Sequence, residues 1–298
     1  MRESTVGGLL VLVAAAGFGT LAIFGKLAEA EGLSRPTLLL FRFLIGAAVV
    51  WGGLLVRGDS VHLAGRPLRA AIGLGVLYAV LTLAYFWGLS FMTASLAGIV
   101  FYTHPIYVFV LSVALLDEPL TRPVIGALGL ALAGVVLVVG VESGTVELLG
   151  VGLVGFAAIG YAVYNVAGRV LTAETRPRVL TAYVLLAATL ALALRWWLAG
   201  GGLPRTPTHW WIVVGIGVLG TGMPLLFLYE GLGRLEATRV SIISTAEPVV
   251  TVVLGVTILD ETLAPSTVVG GVLVLLGVTL VQVSREQREW VLSKVGLR

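Results

Sequence analysis

The chain has 298 residues, 58% hydrophobic and 12% charged, with 39 glycines, no cysteine and a formal net charge of +3. A soluble domain carries about 25% charged residues, so roughly half the charge needed to solvate a globular surface is missing, and the chain reads as a membrane protein. The same figures exclude a nucleic-acid binder, which needs a broad basic face, and disulfide scaffolds, thiolate metal sites and cysteine nucleophiles.

Met1-Arg2-Glu3 leads into an apolar stretch longer than the roughly 7 to 15 residues of a signal-peptide core, which predicts a first spanning helix over 5–28. Further apolar segments of about the length that crosses a bilayer core fall at 36–56, 69–90, 93–116, 122–141, 149–171, 178–199, 209–232, 237–259 and 264–283. Ten transmembrane helices are therefore expected, joined by loops too short for an extramembrane domain. With the amino terminus inside, thirteen Lys and Arg residues fall on the cytoplasmic side and three (Arg35, Arg195, Arg205) on the other. The positive-inside rule then places both termini in the cytoplasm, as expected for an inner membrane of a prokaryote.

Ionisable groups inside these segments should face a cavity or a partner, because a lipid-facing charge costs about 2.5 to 3.5 kcal/mol on insertion scales. In the first two segments these are Lys26 and Arg42. Each either binds an anionic substrate group, Arg in a bidentate manner, or is spent on snorkelling or on pairing with Glu29 or Glu31. The third segment carries Tyr78 and, seven residues on and so on the same helical face, Tyr85, and the fourth carries Tyr102 and His104, the latter preceding Pro105. The sixth holds Tyr161 with Tyr164 and Asn165, and ends near Arg169. Tyr78, Tyr102, Tyr161 and, in the eighth segment, Tyr229 are candidate pocket residues offering a ring face and a hydroxyl; the alternative is ordinary packing. The eighth segment also contains Gly220-Thr-Gly222-Met-Pro224, read as a bend or hinge around Pro224, and ends at Glu230. Glu230 and Arg169 form either a cytoplasmic gate pair or a simple interfacial placement. In the ninth segment Glu247 precedes Pro248. Prolines at these positions free a backbone carbonyl, which is tolerated where a cavity or neighbouring helix meets it. Glu247 and His104 are thus expected beside the substrate path, one of them exchanging a proton, or else serve only to fix their own helices.

A shift of 143 residues superimposes Gly88-Leu89 on Gly231-Leu232, Pro105 on Pro248, His104 on Glu247, and Leu116-Asp117-Glu118 on Leu259-Asp260-Glu261, with 18 of the 51 positions from 88 to 138 identical. The fold class predicted is accordingly all-α and polytopic, two copies of a five-helix unit over 1–141 and 142–284 followed by a cytoplasmic tail, 285–298. An odd number of helices per unit puts the copies in opposite orientations, the usual construction of a secondary transporter.

These residues resemble the drug/metabolite transporter superfamily, in its EamA-type ten-helix branch. The resemblance rests on Gly88-Leu-Ser-Phe-Met-Thr-Ala-Ser, Pro105, Leu115-Leu116-Asp117-Glu118-Pro119-Leu120 and Gly126 to Gly134, repeated as Gly231-Leu-Gly-Arg-Leu-Glu-Ala, Ala246-Glu247-Pro248, Leu259-Asp260-Glu261 and Gly270 to Gly277. Phe18-Gly19-Thr20 leading to Lys26, and Phe41-Arg42-Phe43, match the family's first two helices, with Phe18 where the motif has Trp and Leu21 where it often has Asn. The resemblance implies export, less often import, of small metabolites such as amino acids or related amphipathic solutes by alternating access about a central cavity. No cofactor or metal is expected, nor is a nucleic-acid partner; the partners are a small-molecule substrate and the lipid bilayer, with proton or counter-solute coupling as the energy source. An intramembrane enzyme and a passive channel are the competing classes. The former would need a Gly-x-Ser-x-Gly elbow, a His-Glu-x-x-His or a phosphate loop, and the latter a ring of like charges or a carbonyl filter; the sequence has neither kind of signature.

Overall fold

In a bilayer core every backbone polar group must bond within its own segment, and the apolar runs of this chain become helix. The computed structural model describes residues 3–116, 122–141, 147–172, 175–232, 234 and 243–295. The helices are α1 (Glu3–Gly19), α2 (Leu21–Ala30), α3 (Arg35–Val56), α4 (Gly65–Gly88), α5 (Ala94–Phe101), α6 (His104–Leu116), α7 (Arg122–Val141), α8 (Leu148–Thr172), α9 (Pro177–Leu198), α10 (Pro207–Gly217), α11 (Met223–Leu232), α12 (Ala246–Ile258) and α13 (Pro265–Val295). There is no strand among the described residues.

Six stretches are long and apolar enough to cross a membrane: Thr5–Ala30, Arg35–Val56, Gly65–Phe91, Leu148–Gly168, Pro177–Leu198 and Pro207–Gly231. Shorter apolar helices lie at Ala94–Val108, Ala246–Ile258 and Pro265–Leu280. With Leu132, Val136, Leu190, Leu194 and Val253 on the outside, this is a multi-pass membrane protein whose apolar exterior meets lipid. The first stretch bends at Thr20, whose hydroxyl donates back to the carbonyl of Gly17 at 2.6 Å. Three helices stop where a glycine enters the left-handed region, at Gly32, Gly58 and Gly200. At α3, for example, Gly58 and Asp59 donate to the carbonyls of Leu55 and Leu54, the pairing that satisfies a helix's last acceptors.

Small residues set the packing, since apolar helices in lipid associate through close backbone approach. Helix α7 lies along α13, α1 along α11 and α12, α8 along α4 and α6, and α3 along α9. A β-carbon on Gly134 would sit 2.5 Å from the carbonyl oxygen of Gly270. Gly231 faces Val11 and the carbonyl of Gly7, and Gly88 faces Val154 and the carbonyl of Gly150, so one contact pattern occurs at two places. The interior is filled by Phe43, Leu38, Leu39, Leu96, Leu185 and Ile216.

Candidate functional site

Two interruptions in apolar helices build the site. In the first, α5 ends at Phe101 and α6 begins at His104. Between them Tyr102 donates its amide to Gly98 at 2.9 Å, and the Thr103 hydroxyl donates to the carbonyl of Val100 at 2.7 Å. Pro105 comes next and has no amide hydrogen to give. In the second, a turn at Thr245 precedes α12, and Glu247 and Pro248 occupy its first turn. The Thr251 hydroxyl is shared between the carbonyls of Gly19, at 3.0 Å, and Glu247, at 3.2 Å, fixing α12 to the bend of the first stretch.

Between these interruptions lies a cavity of about 370 Å³ whose walls include Arg42, Tyr78, Tyr85, His104, Tyr161 and Glu247. That volume falls in the range of small-molecule sites, about 300 to 1,000 Å³. Rings of its wall, with Phe43 packed behind them, form a closed circuit. Phe43 meets Tyr78 at 5.2 Å between centroids, Tyr78 meets Tyr161 at 6.2 Å, Tyr161 meets Phe101 at 5.4 Å, Phe101 meets Tyr85 at 5.1 Å, and Tyr85 meets Phe86 at 5.4 Å. The Arg42 guanidinium completes it, 5.0 Å from the Phe43 centroid and 5.4 Å from that of Phe86. Tyr164 stacks on Tyr78 at 5.1 Å. The His104 ring stands edge-on to Tyr161 at 4.9 Å, and its Nδ1 lies 3.2 Å from the carbonyl of Phe101.

Arg42 is only 3% exposed. Its Nε donates to the hydroxyl of Thr221 at 3.0 Å, and the Tyr78 side chain is a further hydrogen-bonding neighbour. No carboxylate stands within ion-pair distance of it among the described residues, and the same holds in reverse for Glu247. Cation–π contacts of this kind contribute about 0.5 to 2 kcal/mol, and among the described residues the guanidinium has no counter-charge.

Of the residues singled out from sequence, Arg42, Tyr78, Tyr102, His104, Pro105, Tyr161, Tyr229, Glu247 and Pro248 line this one cavity. The Tyr229 hydroxyl is in close contact with that of Thr181. Lys26 is elsewhere: it lines a second pocket of about 480 Å³ with Ser90, Glu147 and Glu261, and lies 3.5 Å from Glu29. Pro224 packs on the position of Gly17. Glu230 is held by three arginines, Arg57, Arg178 at 2.7 Å and Arg234 at 2.6 Å; the side chain of Arg169, its suggested partner, lies outside the described residues. Sequence reasoning missed Thr221 and Thr181, whose roles come from contacts made across the chain. It also set Tyr164 and Tyr85 below their neighbours, although their spacing from Tyr161 and Tyr78 was the available signal.

The family profile described as the EamA-like transporter family matches residues 5–140 and again 148–283. The second match is displaced from the first by 143 residues at both ends, 148 against 5 and 283 against 140. The chain is 26% identical over 274 residues to an uncharacterized transporter of Archaeoglobus fulgidus, covering 92% of this chain and 95% of that protein. It is 28% identical over 265 residues to the uncharacterized transporter YcxC of Bacillus subtilis, covering 84% and 85%. A solved crystal structure superposes with a TM-score of 0.71 at 24% identity, over 96% of this chain and 99% of that one, a likeness of fold.

Proposed function

The chain belongs to the EamA-like transporter family, and on that premise we propose that it is a secondary transporter that exports amino acids or related amphipathic solutes. The observation that carries the substrate class is the buried guanidinium of Arg42, without a carboxylate partner among the described residues, in a ring-lined cavity that also holds Glu247. A carboxylate of the solute meets Arg42, and its apolar body lies along the tyrosines. Glu247 takes either the ammonium group of the solute or a proton, and His104 on the opposite interruption is the second group able to exchange one.

Alternating access arises from two inverted five-helix repeats, ten spanning helices in all, rocking about this cavity with both termini in the cytoplasm. Support comes from the doubled family match and from the doubled contact of Gly231 with Val11 and Gly88 with Val154. In the conformation described, Tyr229 with Thr181, and beyond them Glu230 with its arginines, tie α3, α9 and α11 together at one end. This cluster is the inner closure, and it opens when the repeats rock.

The test is uptake of a labelled amino-acid panel into proteoliposomes, with and without an imposed pH gradient. Saturable flux lost in Arg42→Ala supports the reading. Non-saturating conductance would identify a channel, and chemical conversion of the solute an enzyme.

A further inference from the structure

The stretch from Pro207 to Gly231 is not uniformly α-helical. It passes through a π-helical turn, Val218–Gly222, between α10 and α11. Such a turn admits one extra residue and so rotates the helix beyond it. Thr221 sits in this turn and is 1% exposed. Its hydroxyl donates to the carbonyl of Ile216 at 3.0 Å, five residues back. With its single hydrogen committed there, the oxygen presents lone pairs in another direction, and there it accepts the Nε–H of Arg42 at 3.0 Å. Three glycines make the approach possible. A β-carbon at Gly46 would lie 2.7 Å from the Thr221 methyl, one at Gly217 would lie 2.6 Å from Ile45, and one at Gly222 2.6 Å from Val49.

The consequence concerns the guanidinium's free donors. The Phe43 and Phe86 rings lie 5.0 and 5.4 Å from its central carbon, Thr221 occupies Nε and Tyr78 is a hydrogen-bonding neighbour, so the donors left for a solute lie on the edge bearing the two terminal nitrogens. The side chain lines the cavity. Two parallel N–H donors in one plane match a carboxylate.

We infer that Thr221 is a positioning residue that determines specificity: by holding Nε it presents the terminal edge of Arg42 to the cavity and selects carboxylate-bearing solutes over amines of the same shape. This rests on the reading of Arg42 as the anion anchor.

The experiment measures apparent affinity by ligand-induced thermal shift of the purified full chain in detergent, with L-phenylalanine, 3-phenylpropionate and phenethylamine as probes. Thr221→Val, near in shape but without the acceptor, should weaken the two carboxylates by about tenfold, the worth of one charge-assisted hydrogen bond, and leave phenethylamine unchanged. Thr221→Ser should restore wild-type discrimination. In an Arg42→Ala background Thr221→Val should have no further effect, because the two residues act as one unit. Wild-type affinity for carboxylates in Thr221→Val, or an equal loss for all probes that persists without Arg42, overturns the positioning role and leaves the anchor intact. Unaltered carboxylate binding in Arg42→Ala, or no binding of either carboxylate by the wild type, overturns the anchor itself.

Discussion

The carboxylate of Glu261 accepts the backbone amide of Ser95 at 3.1 Å and that of Ala94 at 2.6 Å, so a turn late in the chain closes the amino-terminal end of α5. The Ser95 hydroxyl donates to the same group at 2.5 Å. Asp260, with φ of 52°, bends the chain to aim Glu261 there, and Gly255 leaves the room, since a β-carbon on it would meet both groups. Removing the acceptor strands two amides, whereas removing the hydroxyl strands none. Glu261→Ala should therefore lower stability by about 1 to 3 kcal/mol and Ser95→Ala by about 0.5 to 1.5 kcal/mol. Thermal unfolding in detergent measures both, and the opposite order would show that the hydroxyl, not the cap, holds the junction.

Glu247 is the cavity's one carboxylate among the described lining residues. If it exchanges the coupling proton, Glu247→Gln should abolish uptake driven by an imposed pH gradient while substrate-for-substrate exchange continues. His104→Ala, which removes the ring packed edge-on against Tyr161, should slow both modes several-fold. The paired measurements are gradient-driven uptake and counterflow in the same vesicles; gradient-driven uptake at wild-type rate in Glu247→Gln removes it from coupling.

Gly17 and Gly160 differ in what surrounds them. At Gly17 a β-carbon would lie 2.5 Å from the carbonyl oxygen of Leu219 and would also overlap the Pro224 ring, neither of which can move freely. At Gly160 it would meet only the flexible side chain of Leu81. Gly17→Ala should cost about 1 to 3 kcal/mol, and Gly160→Ala less than about 1 kcal/mol. Comparable losses in detergent unfolding would contradict the assignment of rigid and yielding neighbours.

Glu230 is 15% exposed while its three arginines are 32% to 48% exposed. Loss of one arginine leaves the carboxylate two partners, and surface ion pairs are worth about 0 to 1 kcal/mol, so Arg57→Ala should be nearly silent. Glu230→Gln leaves three guanidiniums without this counter-charge and should loosen the end of α3, α9 and α11. Hydrogen exchange over residues 175–180 and 226–231 is the readout, with faster exchange expected in Glu230→Gln alone.

The chain has no cysteine, so single cysteines report topology directly. Ser60 and Thr208 are both exposed. With both termini in the cytoplasm, Ser60→Cys should react with an impermeant maleimide only from inside and Thr208→Cys only from outside. The reverse pattern inverts the orientation drawn from Lys and Arg.

Much of this is legible in the residues alone because bilayer thickness and proline chemistry act locally. The apolar runs, the interruptions at Pro105 and Pro248, and the choice of Arg42, His104 and Glu247 as candidates rest on such local terms. The features that escape a sequence reading are non-local. Asp260-Glu261 reads as acids favoured at a helix start, and only the fold shows that Glu261 serves a helix 166 residues earlier. Gly220 to Pro224 reads as a bend through its proline, yet the bend is π-helical and its working residue is Thr221. Sequence offers Glu230 either a basic residue on the sixth segment or a plain interfacial placement, and nothing in it points to Arg57 and Arg178, which come to Glu230 from other segments.

The hydrogen bond between Arg42 and Thr221 joins the two halves matched by the family profile, and it has no mirror image. At a displacement of 143 residues Arg42 corresponds to Leu185 and Thr221 to Tyr78. The first match carries the cation and the second carries the hydroxyl that steadies it. A homodimer of first halves would carry two arginines and a tyrosine at each place that Thr221 fills, and a homodimer of second halves would carry no cation at that place. Only one of each half, linked or co-expressed, reassembles the bond.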